Sequence, residues 1–463
     1  MNAIILLSIL GIATLFVGVF NQRKLILPLV ITGVIGAFLV NFLEWNGNTP
    51  DYYKTFTDMV VFDNYSIAFS GALLFISVFV FLLCHHYHGK EESHVADIYA
   101  LMIFTMIGGS IMTAYNNLTM LFVGIEILSI SLYILAGSKK MDLASNEASI
   151  KYFLMGSFST GFLLFGIALI YGVTHSFNLD VIRTYIDSHI ELPILFHVGI
   201  LMMLVGLSFK VSAVPFHFWT PDVYQGSPSI ITSFMATVVK TAGFAALFKL
   251  LHTWFGTLTL PHMLFETIWG ITALTITLGN MSALVQKGVK RMLAYSSIAN
   301  AGYLLIAILA LNAQSASAIL YYSVIYSIGT ILAFGVLMLV METQGGDDYH
   351  SFAGIGRKNP LLGGVMVIAM LSLAGIPPLA GFFAKYFLFV NSMNSGYKWI
   401  VLVAVVNSCV GIYYYFRVMV AMFAKEDAPE ITIPLSYRIA LILGSLVLLV
   451  LGLFPEILSG ILQ

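Results

Sequence analysis

The chain has 463 residues, of which 59% are hydrophobic and 9% charged; 21 basic side chains stand against 22 acidic ones, and the mean hydropathy is +0.94. Soluble domains carry about 25% charged residues, so a water-soluble globule is excluded, and the balanced charge gives no electrostatic ground for a nucleic-acid partner. Two cysteines, Cys84 and Cys409, are too few for a disulfide framework or for an iron–sulfur cluster, which takes about four thiolates, and the absence of a GxGxxG or GxxxxGK-S/T pattern argues against a nucleotide cradle.

Apolar runs of about 20 residues predict an all-α polytopic membrane protein with about fourteen spans. They lie near 2–20, 25–43, 64–84, 97–115, 118–137, 149–174, 194–213, 229–251, 263–285, 292–311, 316–341, 361–393, 399–423 and 435–457. The short segment 214–226 reads as a further half-helix. The first run does not resemble a cleavable signal peptide, because Met1-Asn2 carries no positive charge and Arg23-Lys24 follow the apolar stretch instead.

Loops after odd-numbered spans hold Arg23, Lys24, Lys90, Lys139, Lys140, Lys287, Lys290, Arg291, Arg357, Lys358 and Lys425; those after even-numbered spans hold Lys54, Arg183 and Lys398, with Lys249 near a helix end. Cytoplasmic loops are enriched in Lys and Arg, so the first set is expected in the cytoplasm and both termini on the outer side. His85-His86-Tyr87-His88 reads as an interfacial patch among Lys90, Glu91 and Glu92 rather than a metal cluster. No metal ligand set is expected.

Five charged residues fall inside the apolar runs: Glu126, Lys151, Lys210, Lys240 and Lys385. A charge at the bilayer centre costs about 2.5–3.5 kcal/mol on insertion scales. Lys240, in Ala-Thr-Val-Val-Lys-Thr-Ala-Gly-Phe, lies too deep to snorkel. Glu126 lies about eight residues into its span, too deep for a short carboxylate to reach water; it calls for a cationic partner, either in a relay or in a static ion pair. Lys151 is close to a cytoplasmic end, where a long side chain reaches the headgroups, so both readings stay open there.

Two spans are interrupted. Lys210-Val-Ser-Ala-Val-Pro215-Phe-His217-Phe-Trp-Thr-Pro221-Asp222 breaks the seventh, and Gly375-Ile-Pro377-Pro378-Leu-Ala-Gly381 breaks the twelfth. Proline removes a helix donor and blocks a carbonyl one turn back, and in hydrocarbon the freed groups must be met by protein or water. Matched breaks in two halves point to a transport site between inverted repeats, and each break has a lysine beside it. His217 sits inside the first, as a relay group or a backbone cap. Met120–Tyr133 in the fifth span weakly echoes Met292–Tyr303 in the tenth, and an odd number of helices per copy inverts the second copy. The expected division is 1–96, a first five-helix repeat 97–255, a second 256–425, and a last helix in 426–463.

The stretch Lys210-Val-Ser-Ala-Val-Pro-Phe-His-Phe-Trp-Thr-Pro-Asp-Val-Tyr-Gln-Gly-Ser-Pro228 resembles the signature loop of the antiporter-like membrane subunits of respiratory complex I. Glu126-Ile-Leu-Ser-Ile-Ser-Leu-Tyr, Ile150-Lys-Tyr-Phe-Leu-Met-Gly-Ser-Phe, Lys290–Tyr303 and Gly375–Lys385 add to the likeness. Within that group the chain is similar to subunit N of bacterial NADH:quinone oxidoreductase, the counterpart of mitochondrial subunit 2; the Lys151 motif and a lysine at 385, glutamate in one sister subunit, carry this. Gln225 departs from the acidic residue many members have there.

The resemblance implies fourteen core helices, inverted repeats at spans 4–8 and 9–13, broken helices 7 and 12, and proton translocation along Glu126, Lys210, Lys240 and Lys385, with Lys151 a further candidate and Pro215, His217, Pro377 and Pro378 shaping a polar path. It implies a bacterial inner-membrane location beside sister antiporter-like subunits. NAD, FMN, iron–sulfur clusters and quinone would belong to partner subunits, with no cofactor in this chain. Two alternatives share the fold: a multi-subunit sodium/proton antiporter of the Mrp type, and a membrane-bound hydrogenase or ferredoxin-driven complex. The mechanism expected is lateral. Burial penalises a lysine's charged form and a nearby carboxylate favours it, so a change at Glu126 would send a proton from Lys210 toward Lys240 and Lys385, then to the outer face.

Overall fold

The computed structural model describes residues 1–45, 53, 56–87, 94–256, 260–425 and 428–462. Helices account for nearly all of them: α1 Asn2–Val19, α2 Arg23–Leu43, α3 Asn64–Tyr87, α4 Val95–Ala114, α5 Leu118–Ala136, α6 Leu143–Thr174, α7 Leu179–Ser188, α8 Ile194–Val211, α9 Trp219–Gly226, α10 Ser229–Phe234 and α11 Lys240–Phe255. Then follow α12 His262–Leu284, α13 Val289–Ala310, α14 Ser315–Gln344, the single turn α15 Ile355–Lys358, α16 Pro360–Ala374, α17 Ala380–Asn394, α18 Lys398–Met422 and α19 Leu435–Leu453. Among the described residues, thirteen helices are long and apolar enough to cross a membrane, α10 and α11 counting as one. The fourteenth expected span is the pair of fifteen-residue helices α16 and α17, which the sequence presents as one apolar run and the Gly375–Leu379 break divides. This is a multi-pass membrane protein.

Side chains without charge all round make these helices, and small residues let them approach. A Cβ on Gly108 of α4 would lie 2.6 Å from the Gly124 carbonyl of α5, and one on Gly166 of α6 would lie 2.6 Å from the Gly199 carbonyl of α8. Gly279 of α12 meets the Ala299 backbone of α13 in the same way, at 2.5 Å. In lipid, where apolar side chains gain nothing by leaving one another, such close backbone crossings are what packs helices together. Asn117 and Asp142 cap α5 and α6, accepting from the N–H groups of Thr119 and Ala144.

The two broken spans end their first halves identically. Ser212 (φ 64°) follows α8 and Gly375 (φ 81°) follows α16. In each, the next residue closes the helix: Ala213 N–H donates to the Ser208 carbonyl at 2.8 Å, Ile376 N–H to the Leu371 carbonyl at 3.0 Å, the Schellman pattern. A cis X–Pro bond follows in both, at Val214–Pro215 and Pro377–Pro378. The preceding helices match as well, α6 having 32 residues and α14 having 30.

Three features depart from the sequence reading. The loop after the sixth span contains α7, whose buried Leu179, Ile182 and Ile186 form one stripe and whose Asn178 caps two N–H groups. A π-helical turn, Met235–Val239, interrupts the eighth span just before Lys240. Lys290 and Lys249, read as a loop residue and a helix-end residue, are both buried. The side chains of His85, His86 and His88 lie outside the described residues. Every residue from Pro228 to Leu251 is buried, so the π turn and α11 form the central post of the molecule.

Candidate functional site: a buried row of lysines

Lys210, Lys240 and Lys385 are 4%, 3% and 8% exposed, and each amine meets protein oxygen. Lys210 Nζ donates to Ser129 Oγ at 2.7 Å, Lys240 Nζ to the Ser297 carbonyl at 2.7 Å, and Lys385 Nζ to the Ala374 carbonyl at 3.0 Å. Two of these positions share a cause. Lys210 sits in the last turn of α8, and Lys385 reaches from α17 back to the final carbonyl of α16. Each cation thus lies at the carboxyl end of a half-helix, where unpaired carbonyls and the helix dipole favour positive charge. The proline breaks create these ends inside the protein.

Glu126 is half-buried on α5. It lies within electrostatic reach of Lys210, but among the described residues no cation closes on it to ion-pair distance, so the static pair is not formed within this chain. Ser129, one turn along α5, takes the contact with Lys210 instead. The sequence reading missed Ser129; its spacing of three from Glu126 was the available signal.

Lys210 and Lys240 approach through Gly243, one turn beyond Lys240 on α11. A Cβ there would stand 3.8 Å from Cγ of Lys210. Among the described residues no carboxylate pairs with Lys240. From Lys240 a polar network leads across α13, α14 and α18: Ser296 and Tyr415 share a hydroxyl hydrogen bond, Asn300 Nδ2 donates to Tyr415 Oη at 3.3 Å, and Tyr322 Oη donates to Asn300 Oδ1 at 2.6 Å. Asn300, Tyr322, Ser372 and Lys385 then line a cavity of about 10 Å³, the size of one water. The Lys385 amine stands 5.0 Å from the ring centre of Tyr303. Beyond it on α17, Asn391 Nδ2 donates to Ser315 Oγ at 3.0 Å, and Asn312 Nδ2 donates to Ser395 Oγ at 3.0 Å. None of these Ser, Asn and Tyr residues was singled out from sequence.

The remaining candidates stand apart from the row. Lys151 is 41% exposed and pairs with Glu147 at 2.7 Å and Asp222 at 3.2 Å; Asp222 also accepts from Arg291 Nη2 at 3.1 Å. Of the two readings open for Lys151, it occupies the surface one. Pro215, Pro377 and Pro378 are exposed and His217 is half-buried, so the prolines shape the half-helices and do not line the buried network. Among the described residues no three His, Cys, Asp or Glu side chains gather as a metal set would.

Residues 115–411 match the sequence model of the family described as NADH:quinone oxidoreductase/Mrp antiporter, TM. NADH-quinone oxidoreductase subunit N of Cytophaga hutchinsonii is 42% identical over 464 residues, covering 100% of this chain and 99% of that one. A chain of respiratory complex I from Thermus thermophilus with bound aureothin superposes with a TM-score of 0.82 at 33% identity, covering 99% of this chain and 98% of its own. A chain of the Mrp complex from Dietzia gives a TM-score of 0.84 over 99% and 95% of the two chains at 18% identity, a likeness of fold alone.

Proposed function

This chain belongs to the NADH:quinone oxidoreductase/Mrp antiporter membrane family, and from that membership we propose that it is the proton-translocating antiporter-like subunit N of a bacterial NADH:quinone oxidoreductase. Protons move along Glu126, Lys210, Lys240 and Lys385, through the hydroxyl and amide groups between them, and leave past Asn391 and Asn312 to the outer face. The energy comes from redox chemistry in partner subunits, which hold NAD, FMN, iron–sulfur clusters and quinone; this chain holds none. We read 97–255 and 256–425 as two inverted five-helix repeats. The inner membrane is the location, with both termini outside and the loops carrying Lys139, Lys140, Lys287, Arg357 and Lys358 in the cytoplasm.

One observation carries the reading. Lys240 lies at the centre of the molecule, pairs with no carboxylate among the described residues, and is joined by hydrogen-bonded side chains to the cavity of Lys385. A structural lysine would be neutralised by an acidic partner, since an unpaired buried charge is costly; a proton carrier must instead be free to lose its charge. Replacing Lys240 with Met in the intact complex should leave assembly normal and cut proton translocation by about tenfold or more, against the roughly 100-fold that a lost proton-transfer group typically costs. Wild-type pumping in that variant would defeat the relay. Co-purified subunits separate this reading from the alternatives: redox subunits support it, and a set of small antiporter subunits or a hydrogenase would replace it.

A further inference from the structure

Lys290 is as deeply buried as the three lysines of the row, at 3% exposed, and plays no part in the relay described above. Its Nζ donates to the carbonyls of Gln225 at 2.9 Å and Ser227 at 2.7 Å, at the carboxyl end of the half-helix α9. It therefore repeats the arrangement of Lys210 and Lys385, a cation at the end of a broken span. An ammonium has three donors, and these two carbonyls occupy two of them.

Its neighbours in both directions can pass a proton. Outward, the half-buried Asp347 accepts from the Lys290 backbone N–H at 3.3 Å and holds the start of α13 through the Val289 N–H, which donates to its carbonyl at 2.6 Å. Inward, Ser297 lies seven residues on, two turns along the same face of α13, a rise of about 10 Å. The Ser297 carbonyl holds the Lys240 amine, and the hydroxyls of Tyr224 and Tyr326 lie beside its side chain.

We propose that Lys290 is the cytoplasmic proton-loading residue of this subunit, taking protons from the Asp347 side and delivering them along α13 to Lys240. This rests on the relay reading. The step is a proton transfer only. The neutral Lys290 amine gains a proton from water or from the Asp347 carboxyl, forming an N–H bond; that bond then breaks as the proton passes through hydroxyls or water to the neutral amine of Lys240. Nothing is oxidised or reduced.

The competing role is a fixed charge that latches α9 to α13. Arginine separates the two, because it keeps the charge and the donors but does not release a proton. In the intact complex, Lys290→Arg should assemble normally and translocate protons at about a tenth of the wild-type rate or less, against the roughly 100-fold that a missing proton-transfer group typically costs. Wild-type translocation in Lys290→Arg would establish the latch and overturn the proposal. Should Lys290→Arg fail to assemble, Asp347→Asn decides: it leaves the Gln225 and Ser227 contacts in place, and a several-fold fall in pumping supports loading here while wild-type pumping refutes it. Lys240→Met run beside them keeps the two ideas apart. If it alone loses pumping, protons load elsewhere and the relay stands; if it pumps normally, the relay itself is wrong.

Discussion

A Cβ built on Gly375 would stand 2.9 Å from Cδ of Lys385 and 3.5 Å from its Nζ. The residue that ends α16 therefore also clears the place where the lysine of α17 lies. Gly375→Ala should displace the Lys385 amine from the Ala374 carbonyl and add about 1–2 kcal/mol of left-handed backbone cost. Proton translocation by the assembled complex should fall several-fold, measured by dye quenching in membrane vesicles, with more complex lost on heating in a native gel.

Ser212 occupies the matching place after α8, but nothing there requires its side chain: it is buried and its hydroxyl has no hydrogen-bond partner. Ser212→Gly should be neutral or stabilising by about 1 kcal/mol, because glycine adopts this conformation without penalty. The same heated native gel reads it, and a loss comparable to that of Gly375→Ala would show that the two breaks are not equivalent.

Glu126 touches no cation within this chain, so its effect on Lys210 is one of field rather than contact. Glu126→Gln should impair pumping more than Glu126→Asp, which keeps the charge. Equal and near-normal rates would mean the carboxylate has no part in the path. Ser129→Ala removes the hydrogen bond to the Lys210 ammonium, an interaction of about 1.5–3 kcal/mol, and should lower pumping measurably while quinone reduction is still detectable.

Tyr322 bridges Asn300 to the cavity of Lys385. Tyr322→Phe keeps the ring and removes only the hydroxyl, so assembly should be intact while pumping drops severalfold. A wild-type rate would mean that protons pass between Lys240 and Lys385 by another way.

Lys151 is exposed and paired, outside the buried row. Lys151→Met should leave most of the pumping rate in place, at half of wild type or above by the vesicle assay. A loss as deep as that of Lys240→Met would bring it into the path.

Hydropathy and proline made the spans, the two breaks and the buried Lys210, Lys240 and Lys385 legible from sequence, because lipid allows only one backbone solution for a long apolar run. What the sequence hid follows from the same physics. Lys290 is charged and precedes an apolar run, so a composition rule assigns it to a loop; only the fold shows α9 lying over it. The apolar run 361–393 is continuous by hydropathy, and Gly375 divides it through backbone conformation alone. Ser296, Asn300, Tyr322 and Tyr415 come from three helices and have no spacing to betray them. α7 was legible in principle, through Asn178 and the stripe Leu179, Ile182 and Ile186.

The π turn at Met235–Val239 fixes where the central amine points. Such a turn winds one more residue into the helix than an ordinary one, and each residue of an α-helix rotates the chain by about 100°. Deleting a single residue from that stretch would restore a regular helix and swing the side chain of Lys240 away from Ser297, toward packing that offers it no oxygen. The irregular winding thus works as an aiming device, and the chain's length between Phe234 and Lys240 is as much a part of the proton route as any titratable group on it.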